Sequence, residues 1–505
     1  MKIMLVNMPW IKDGKLGIRA GSRWPHIRDD VESNYLPFPF FLAYSTSLLE
    51  AHGFTVKLVD AICSQMSNEE FINAVNEFSP DLLVAETSTL SLEDDMAFLG
   101  QFGENYKIVL CGPDINIQHP QFLKDHSFVD FVIKGEYEFT LLDLAEHLET
   151  KSRLSEVLGI NYRENDTIFI NPPRPLGDIN SMPWPRRRGL QMERYIDSPG
   201  AMPFPTVQML ASRGCPYECM FCLWPQVMYG GRNFRVRDPK DVLNEMEAMV
   251  RDFHFKSVYF DDDTFGLDKK WTHEFADQLI ERNRQGRINV PWAMMTRPDA
   301  VDEEILRKLK RSGLWAVKYG IESGNQMLVN NIRKNLDLNN AKRIVKLTHA
   351  LGIKTHLTFT FGLPGESKET VNQTIKTALE LDPFTVQFSI TTPFPGTKYF
   401  DIVSRNGNLL SKDWNDYDGN TKSVIHTDSL TAEDLVRARR KACRLWSRHF
   451  ALRRVRIRIK KYLPVKKGVH RMKKKNIFYL AYLFFITVIY YSYLAYVRTL
   501  RNAKI

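Results

Sequence analysis

The stretch that decides the fold is residues 212–222, which read SRGCPYECMFC. Three of the six cysteines of the chain, Cys215, Cys219 and Cys222, lie in it with the spacing C-x3-C-x2-C. Three thiolates this close can hold three irons of a cubane cluster and leave the fourth iron open to another ligand. A zinc site normally uses four protein ligands, and no Cys or His nearby continues the pattern. The spacing therefore favours an iron–sulfur centre over a structural zinc loop.

The triad follows a predicted strand. Residues 207–211 form an apolar run, and Gly214 and Pro216 then break regular structure, which predicts a tight turn into the triad. The C-terminal ends of strands are where barrels and open α/β sheets place their active sites. We therefore expect the cysteines to lie at an active site.

Residues 212–222 resemble the cluster-binding loop of radical S-adenosylmethionine (SAM) enzymes, whose pattern is C-x3-C-x-aromatic-C. The resemblance implies a [4Fe-4S] cluster on Cys215, Cys219 and Cys222, with SAM bound at the open iron. It also implies that one electron, from a donor such as a flavodoxin or a ferredoxin, cleaves SAM to methionine and a 5′-deoxyadenosyl radical. Phe221 holds the aromatic position that packs near the adenine in this family.

Composition indicates an ordinary folded protein. The chain has 505 residues, of which 44% are hydrophobic and 25% are charged, enough for two or three domains. Its net charge is +10, but residues 453–505 carry fifteen Lys and Arg and no Asp or Glu. Subtracting those fifteen leaves the first 452 residues at −5, which argues against a nucleic-acid-binding body. Cys63, Cys111 and Cys443 stand singly, as core residues of a protein in a reducing cytoplasm do.

Residues 1–150 alternate strand-like and helix-like runs, which predicts a Rossmann-like, doubly wound parallel sheet. The predicted strands are 2–7, 55–60, 81–86, 107–111 and 128–134, and the predicted helices are 40–52, 68–78, 92–102 and 139–148. Ligands of such sheets bind at the C-terminal ends of the strands. The small and polar residues there are Thr87, Ser88, Gly112, Pro113, Gly135 and Glu136. From the residues alone, ordinary turns and loops without any ligand explain these residue types equally well.

This N-terminal region resembles the cobalamin-binding domain that precedes many radical SAM domains, in its segments 37–60, 80–89, 109–114 and 129–136. The resemblance implies cobalamin as a cofactor, bound by the six strand-end residues just named. The chain departs from the family at Cys111-Gly112-Pro113, where a Gly pair is common. It also lacks an Asp-x-His-x-x-Gly motif in this region, so no residue is assigned as the lower ligand of cobalt.

Residues 151–204 are interpreted as a linker, and strand–helix alternation then restarts over residues 205–400. This alternation is typical of the partial (β/α)6 TIM-like barrel of the radical SAM family. Residues 320–324 (GIESG) and 362–366 (GLPGE) end two predicted strands and resemble family motifs that lie against SAM. The implied SAM-binding residues are Phe221, Arg297, Gly320, Glu322, Ser323 and Gly362. The acidic run 261–263 ends another strand, and we assign it no metal-ligand role.

The C-terminal residues predict attachment to a membrane. After a helical region at 401–452 comes a basic segment, 453–476, and then 21 residues without a charge, 477–497. A helix of that length spans roughly 30 Å, the thickness of the hydrocarbon layer, although an interfacial helix remains the alternative. The positive-inside rule places the catalytic body in the cytoplasm, on the inner membrane.

The sequence therefore predicts a membrane-attached, cobalamin-dependent radical SAM enzyme. We expect it to methylate an unactivated carbon of a hydrophobic or lipid-linked substrate. Two alternatives stay open, which are a radical oxidative cyclase of a tetrapyrrole-like substrate and a membrane-bound cobalamin or redox sensor. A methylthiotransferase is disfavoured, because the N-terminal half lacks three cysteines for a second cluster.

Overall fold

The computed structural model describes residues 1–28, 34–114, 116–165 and 167–462, the stretch 456–462 by backbone alone. Met1–Arg439 form one unit, which contains every site residue named above. The predicted hydrophobic segment 477–497 and most of the basic segment 453–476 lie outside the described residues. Within the described part of the chain, no helix is both long and apolar enough to cross a membrane.

The N-terminal region alternates strands and helices. Its strands are β1 (Lys2–Asn7), β2 (Ile11–Lys12), β3 (Lys15–Ile18), β4 (His26–Ile27), β5 (Thr55–Asp60), β6 (Leu82–Glu86), β7 (Lys107–Cys111), β8 (Phe131–Ile133), β9 (Ile160–Glu164) and β10 (Thr167–Ile170). Its helices are α1 (Phe40–Ala51), α2 (Ala61–Ser64), α3 (Asn68–Phe78), α4 (Leu92–Leu99), α5 (Pro120–Asp125) and α6 (Glu138–Thr150).

Seven of these strands form one sheet in the order β10-β9-β8-β7-β6-β1-β5. Strands β5, β1, β6, β7 and β8 are parallel, whereas β9 and β10 are antiparallel. The strand order reverses between the neighbouring strands β1 and β6, which is the switch point where open α/β sheets bind ligands. The predicted doubly wound sheet is thus present, and its ligand edge carries the loops after β6, β7 and β8.

The second half of Met1–Arg439 is an open barrel. Its strands are β11 (Thr206–Met209), β12 (Ser212–Arg213), β13 (Arg235–Val236), β14 (Ser257–Phe260), β15 (Trp292–Thr296), β16 (Leu314–Glu322), β17 (Lys354–Phe361) and β18 (Thr385–Ile390). The helices are α7 (Leu223–Val227), α8 (Pro239–Asp252), α9 (Lys269–Arg284), α10 (Glu303–Arg311), α11 (Gln326–Asn331), α12 (Leu338–Ala350), α13 (Lys368–Leu381), α14 (Lys398–Arg405) and α15 (Ala432–Tyr462).

Six of these strands form a wholly parallel sheet in the order β11-β14-β15-β16-β17-β18. The two outer strands, β11 and β18, mark its ends, so the described sheet is a partial barrel as the resemblance implied. All six C-terminal ends lie at one mouth, because the strands are parallel. That mouth receives the Cys loop, residues 212–222.

Local signals explain most element boundaries. Helix α3 begins at Asn68 as predicted, because Ser67 and Glu70 form a reciprocal capping box. The predicted strand 128–134 is shorter, Phe131–Ile133, because the Val129 N–H donates to the His126 carbonyl in a turn instead of pairing with β7. Helix α5 was not predicted, although Pro120 at its first position and His119 as its cap are ordinary start signals.

The hairpin β9–β10 lies in the predicted linker but adds two strands to the first sheet. Strand β9 pairs antiparallel with β8, from Phe131 opposite Tyr162 to Ile133 opposite Ile160. The pairing covers the edge of β8, which would otherwise expose unpaired backbone groups. The hairpin therefore completes the N-terminal sheet.

An aromatic cluster fills the space between the barrel strands and α9. The Phe275 ring is fully buried, and its centroid lies 5.2 Å from that of Trp271 and 5.5 Å from those of Phe265 and Trp292.

The replacement Phe275→Ala should therefore leave a cavity and cost about 3–5 kcal/mol of unfolding free energy. Denaturant unfolding followed by circular dichroism measures it. The control Leu410→Ala, at a side chain that is 55% exposed, should change stability by less than about 0.5 kcal/mol. Equal losses of unfolding free energy in the two variants would contradict the close packing of Phe275 in this cluster.

Candidate active site

The Cys loop connects β12 to α7 at the mouth of the barrel. Gly214 starts it with φ +89°, and a Cβ there would lie 2.2 Å from Asn233 Oδ1, so only glycine fits. Cys219 is buried, and the Cys222 N–H donates to its carbonyl at 3.1 Å just before α7 begins. Cys215 Sγ lies 3.7 Å from Thr264 Oγ1. The three thiols thus lie on one short loop that the barrel wall holds.

The acidic run at the end of β14 supports this loop. Asp262 accepts hydrogen bonds from the Ala211 N–H (2.9 Å) and the Ser212 hydroxyl (2.5 Å). Asp263 Oδ2 accepts the Gly214 N–H at 3.0 Å. Burial raises the pKa of Asp262 to about 7. These two carboxylates hold the backbone that enters the triad.

The geometry can be tested against the expected cluster. Within the described ranges, no three His, Cys, Asp or Glu side chains converge on a point where a single metal ion could bind. A [4Fe-4S] cluster does not require such convergence, because each thiolate binds a different iron. The donor set of three thiols without a fourth ligand fits a cluster better than a zinc ion.

Two positive charges lie beside the triad. Lys334 is buried, and its Nζ lies 2.9 Å from Glu322 Oε1. Arg297 stacks on the Tyr217 ring at 3.5 Å, forms a two-pronged ion pair with Asp299 (2.8 and 2.7 Å) and donates to the Lys334 carbonyl. The hydrogen bond from Cys222, then the charges of Lys334 and Arg297, lower the pKa of Cys219 to about 6. These contacts favour the thiolate of Cys219, the form that binds iron, whereas burial raises the pKa of Cys215 and the hydrogen bond to Cys219 raises the pKa of Cys222.

The end of β16 is shaped around Glu322. This residue has φ +69°, and a β-bulge lies between it and Gly320. A Cβ on Gly320 would lie 2.6 Å from Glu322 Oε1 and 3.1 Å from Lys334 Nζ, so the glycine makes room for the ion pair. Ser323 points elsewhere, because it is fully buried and lies 3.1 Å from the Thr374 hydroxyl of α13. Gly320 and Glu322 thus lie at the ion pair with Lys334 beside the triad, whereas the Ser323 hydroxyl contacts α13.

The end of β17 meets the Cys loop through Tyr399. Gly362 has φ +97°, donates its N–H to the Glu366 carboxylate and accepts the Tyr399 hydroxyl at its carbonyl. The Tyr399 N–H in turn donates to the Met220 carbonyl, 3.0 Å away in the Cys loop. Phe221, the next residue, is buried. Tyr399 therefore links Gly362 to the Cys loop, because its hydroxyl binds Gly362 and its backbone N–H binds Met220.

Sequence reasoning missed Lys334, Tyr217 and Thr264. Tyr217 lies inside the Cys loop, and Thr264 follows the acidic run, so both stood beside residues already singled out. Lys334 belongs to no motif and follows Glu322 by twelve residues. Only the fold brings its ammonium group to the triad.

The loops after β6 and β7 pack against each other at the edge of the first sheet. Gly112 has φ +124°, and a Cβ there would lie 2.2 Å from the Thr87 carbonyl. The Thr87 hydroxyl donates to Asp95 at 2.6 Å, and the Ser88 hydroxyl lies 2.9 Å from that of Ser91. Pro113 is buried beside Gly112. The side chains of Thr87 and Ser88 are therefore already engaged within the protein.

A cleft of about 670 Å³ opens beside these loops. It is lined by Leu92, Glu93, Met96, Ala97, Asn116, His119, Gln121, Phe122, Asp125, His126 and Trp414. Beside Asn116 of this lining, the side chains of Thr89 and Asp114 are buried. Burial raises the pKa of Asp114 to about 6, and the side chains of Asn116 and Thr89 interact with its carboxylate and oppose that rise. Thr89 Oγ1, Asp114 Oδ2 and Asn116 Nδ2 thus face one another, although no hydrogen bond between them has good geometry.

The loop after β8 contacts the barrel. The Glu136 N–H donates to the Met228 carbonyl at 3.1 Å, and a Cβ on Gly135 would lie 3.0 Å from the same oxygen. The Glu136 carboxylate pairs with Arg213 (3.3 Å) and with Arg235 (2.7 and 2.9 Å). Gly135 and Glu136 thus join the first sheet to the Cys loop.

Comparison with known families matches residues 209–378 to the radical SAM superfamily. A methyltransferase of Pyrococcus horikoshii, described as uncharacterized, is 29% identical over 80% of this chain and 86% of its own length. The anaerobic magnesium-protoporphyrin IX monomethyl ester cyclase of Rubrivivax gelatinosus is 27% identical over 72% of this chain and 65% of its own length.

A solved structure shares the fold. It is the radical SAM methyltransferase TsrM of Kitasatospora setae, with cobalamin and a [4Fe-4S] cluster bound. The TM-score is 0.63 at 19% identity, over 81% of this chain and 79% of that one. Because it covers 81% of this chain, the likeness extends beyond the barrel strands and helices.

The triad makes a direct prediction. The variant Cys219→Ala should lose the visible absorbance and iron of the anaerobically reconstituted cluster, because only two thiolates remain. Iron and sulfide analysis measures the loss. Cys443→Ala is the matched control, since this cysteine lies on α15, far along the sequence from the triad, and it should retain full iron. Equal iron in the two variants would contradict the assignment.

Lys334 makes a second prediction. Lys334→Met should weaken SAM binding at least tenfold, or by about 1.4 kcal/mol, because Glu322 is then left buried without its cation. Lys334→Arg keeps the charge and should bind SAM within a few-fold of the parent. Equilibrium dialysis of reconstituted protein measures the affinity. Unchanged affinity in Lys334→Met would show that this ion pair lies outside the SAM site.

Proposed function

We propose that this radical SAM enzyme methylates an unactivated carbon and uses cobalamin as its methyl carrier. The observation that carries the proposal is the direct contact between the two candidate cofactor sites. Glu136, from the ligand edge of the first sheet, pairs with Arg213, two residues before Cys215. A carrier held at that edge would face the radical formed at the barrel mouth.

The barrel residues fit a cluster and SAM. When bound, these groups supply a 5′-deoxyadenosyl radical that removes hydrogen from a carbon. Cys215, Cys219 and Cys222 would hold the cluster. Lys334 and Arg297 offer positive charge to the SAM carboxylate, and Glu322 offers an acceptor to its ammonium or ribose groups. Phe221 and Gly362 are the remaining residues proposed to contact SAM, and Phe221 is buried.

The first sheet fits cobalamin at its ligand edge. When bound, that group supplies the methyl that the substrate carbon receives. Gly112 keeps the loops after β6 and β7 close together, and the side chains of Thr89, Asp114 and Asn116, whose mutual contacts are poorly formed hydrogen bonds, offer donors and acceptors to a large polar ligand. The adjacent cleft has room for part of it. Thr87, Ser88, Pro113 and Gly135 would act through their backbone, and Glu136 would orient the loop by binding Arg213 and Arg235.

Radical oxidative ring closure is the second candidate, favoured by the likeness to the Rubrivivax gelatinosus cyclase. The finer features of the proposal rest on the sequence. From the pattern of charged and uncharged residues over 453–505 we propose a cytoplasmic body attached to the inner membrane and a hydrophobic or lipid-linked substrate. From the family resemblance we propose a flavodoxin or ferredoxin as the electron donor.

The experiment uses anaerobically reconstituted enzyme, a reductant and SAM whose methyl group is CD3, with an extract of cells that lack the gene. We expect 5′-deoxyadenosine and an extract compound that gains one CD3 group in exchange for hydrogen. Mass spectrometry detects both, and Cys219→Ala is the control without cluster. A product that forms without the label would favour ring closure. Intact cluster without any 5′-deoxyadenosine would favour the sensor.

A further inference from the structure

The segment between β1 and α1 is anchored to the first sheet. Instead of crossing directly to the helix, it forms the short strands β2, β3 and β4. Arg19 in this segment is fully buried, pairs with Asp95 and donates to the Met8 carbonyl at 2.8 Å. Its guanidinium also lies 5.5 Å from the centroid of the Trp10 ring. These contacts fix the base of the segment on the N-terminal half of the molecule.

Arg23 extends from this segment to the barrel mouth. Its Nε lies 2.8 Å from Asp263 Oδ1 and its Nη1 lies 3.0 Å from Asp261 Oδ1, while Nη2 donates to the Asp261 carbonyl. Both carboxylates are almost fully buried, with side chains 6% and 5% exposed for Asp261 and Asp263. The guanidinium also stacks on the Trp224 ring at 4.6 Å. One side chain of the N-terminal segment therefore pairs with two buried acids of the barrel and offsets part of their charge.

The partners of Arg23 flank the Cys loop on both sides. Asp263 Oδ2 accepts the Gly214 N–H, one residue before Cys215. Trp224 lies two residues after Cys222 in α7. Thr264, adjacent to Asp263, contacts Cys215 Sγ. The Arg23 guanidinium thus contacts Asp263, which binds the backbone just before the triad, and Trp224, which follows the triad.

We infer that Arg23 is a positioning residue, through which the N-terminal segment orients the Cys loop and balances the charge beside it. The inference rests on the proposed function only in that a [4Fe-4S] cluster occupies the triad. Reduction of the cluster adds one negative charge to this neighbourhood. Without Arg23, the buried charges of Asp261 and Asp263 would lack their compensation and would oppose that reduction.

The experiment measures the midpoint potential of the reconstituted cluster in the full-length protein, by redox titration monitored with electron paramagnetic resonance. Arg23→Gln should shift the potential to lower values and slow reductive SAM cleavage at least tenfold. Arg23→Lys keeps the charge and should restore most of the potential. Adding Asp263→Asn to Arg23→Gln should also move the potential back toward the parent, because Asn still accepts the Gly214 N–H while one buried charge is gone.

The matched control is Arg187→Gln. Arg187 is a buried guanidinium that, like Arg23, lies 4.6 Å from an aromatic ring (Phe38) and pairs with a carboxylate (Glu245, 3.0 Å). Glu245 binds Arg187 and Arg237, whereas Asp263 accepts the N–H of Gly214 in the Cys loop, so the loss of Arg187 should leave the potential unchanged. A potential of Arg23→Gln equal to that of Arg187→Gln would overturn the inference. If Arg23→Gln takes up no cluster, Arg23→Lys decides: cluster uptake with a potential near that of Arg187→Gln would support the role of the charge, whereas a potential well below it, despite the retained charge, would overturn the inference. A parent protein that forms no cluster would instead refute the proposed function.

Discussion

The structure depends on the buried guanidinium of Arg213. It lies two residues before the first cysteine, 3.3 Å from Glu136 in the loop after β8 and 2.7 Å from Glu138 at the start of α6. It also stacks on Phe41 and Tyr44 of α1 at 4.7 and 4.8 Å. A buried charge is tolerated only when it is paired, and breaking such a pair costs about 3–5 kcal/mol. The pairing therefore fixes the Cys loop relative to the N-terminal sheet.

Local signals made much of the fold predictable. The capping box at Ser67, the alternation of strands and helices, and the glycine and proline around the triad each act over a few residues. Such signals predicted both sheets and placed the triad at a strand end. They could not show that the hairpin β9–β10 joins the first sheet, because strand pairing across the chain depends on tertiary contacts.

The candidate site was only partly predictable for the same reason. Gly320, Glu322 and the cysteines carry their roles in short motifs. Lys334 and Arg23 do not, since their importance comes from partners that the fold brings to them. Glu136 shows the opposite case, because its motif suggested a ligand, whereas its carboxylate is occupied by Arg213 and Arg235.

The barrel described above has six strands, and an eight-stranded parallel barrel is what closes upon itself. Because a six-stranded wall leaves the barrel open on one side, the diameter of the barrel does not set an upper limit on the size of a bound molecule. A bulky molecule can present one carbon at the mouth while its remainder stays outside. Discrimination among guests then rests on the groups at the strand ends rather than on exclusion by width.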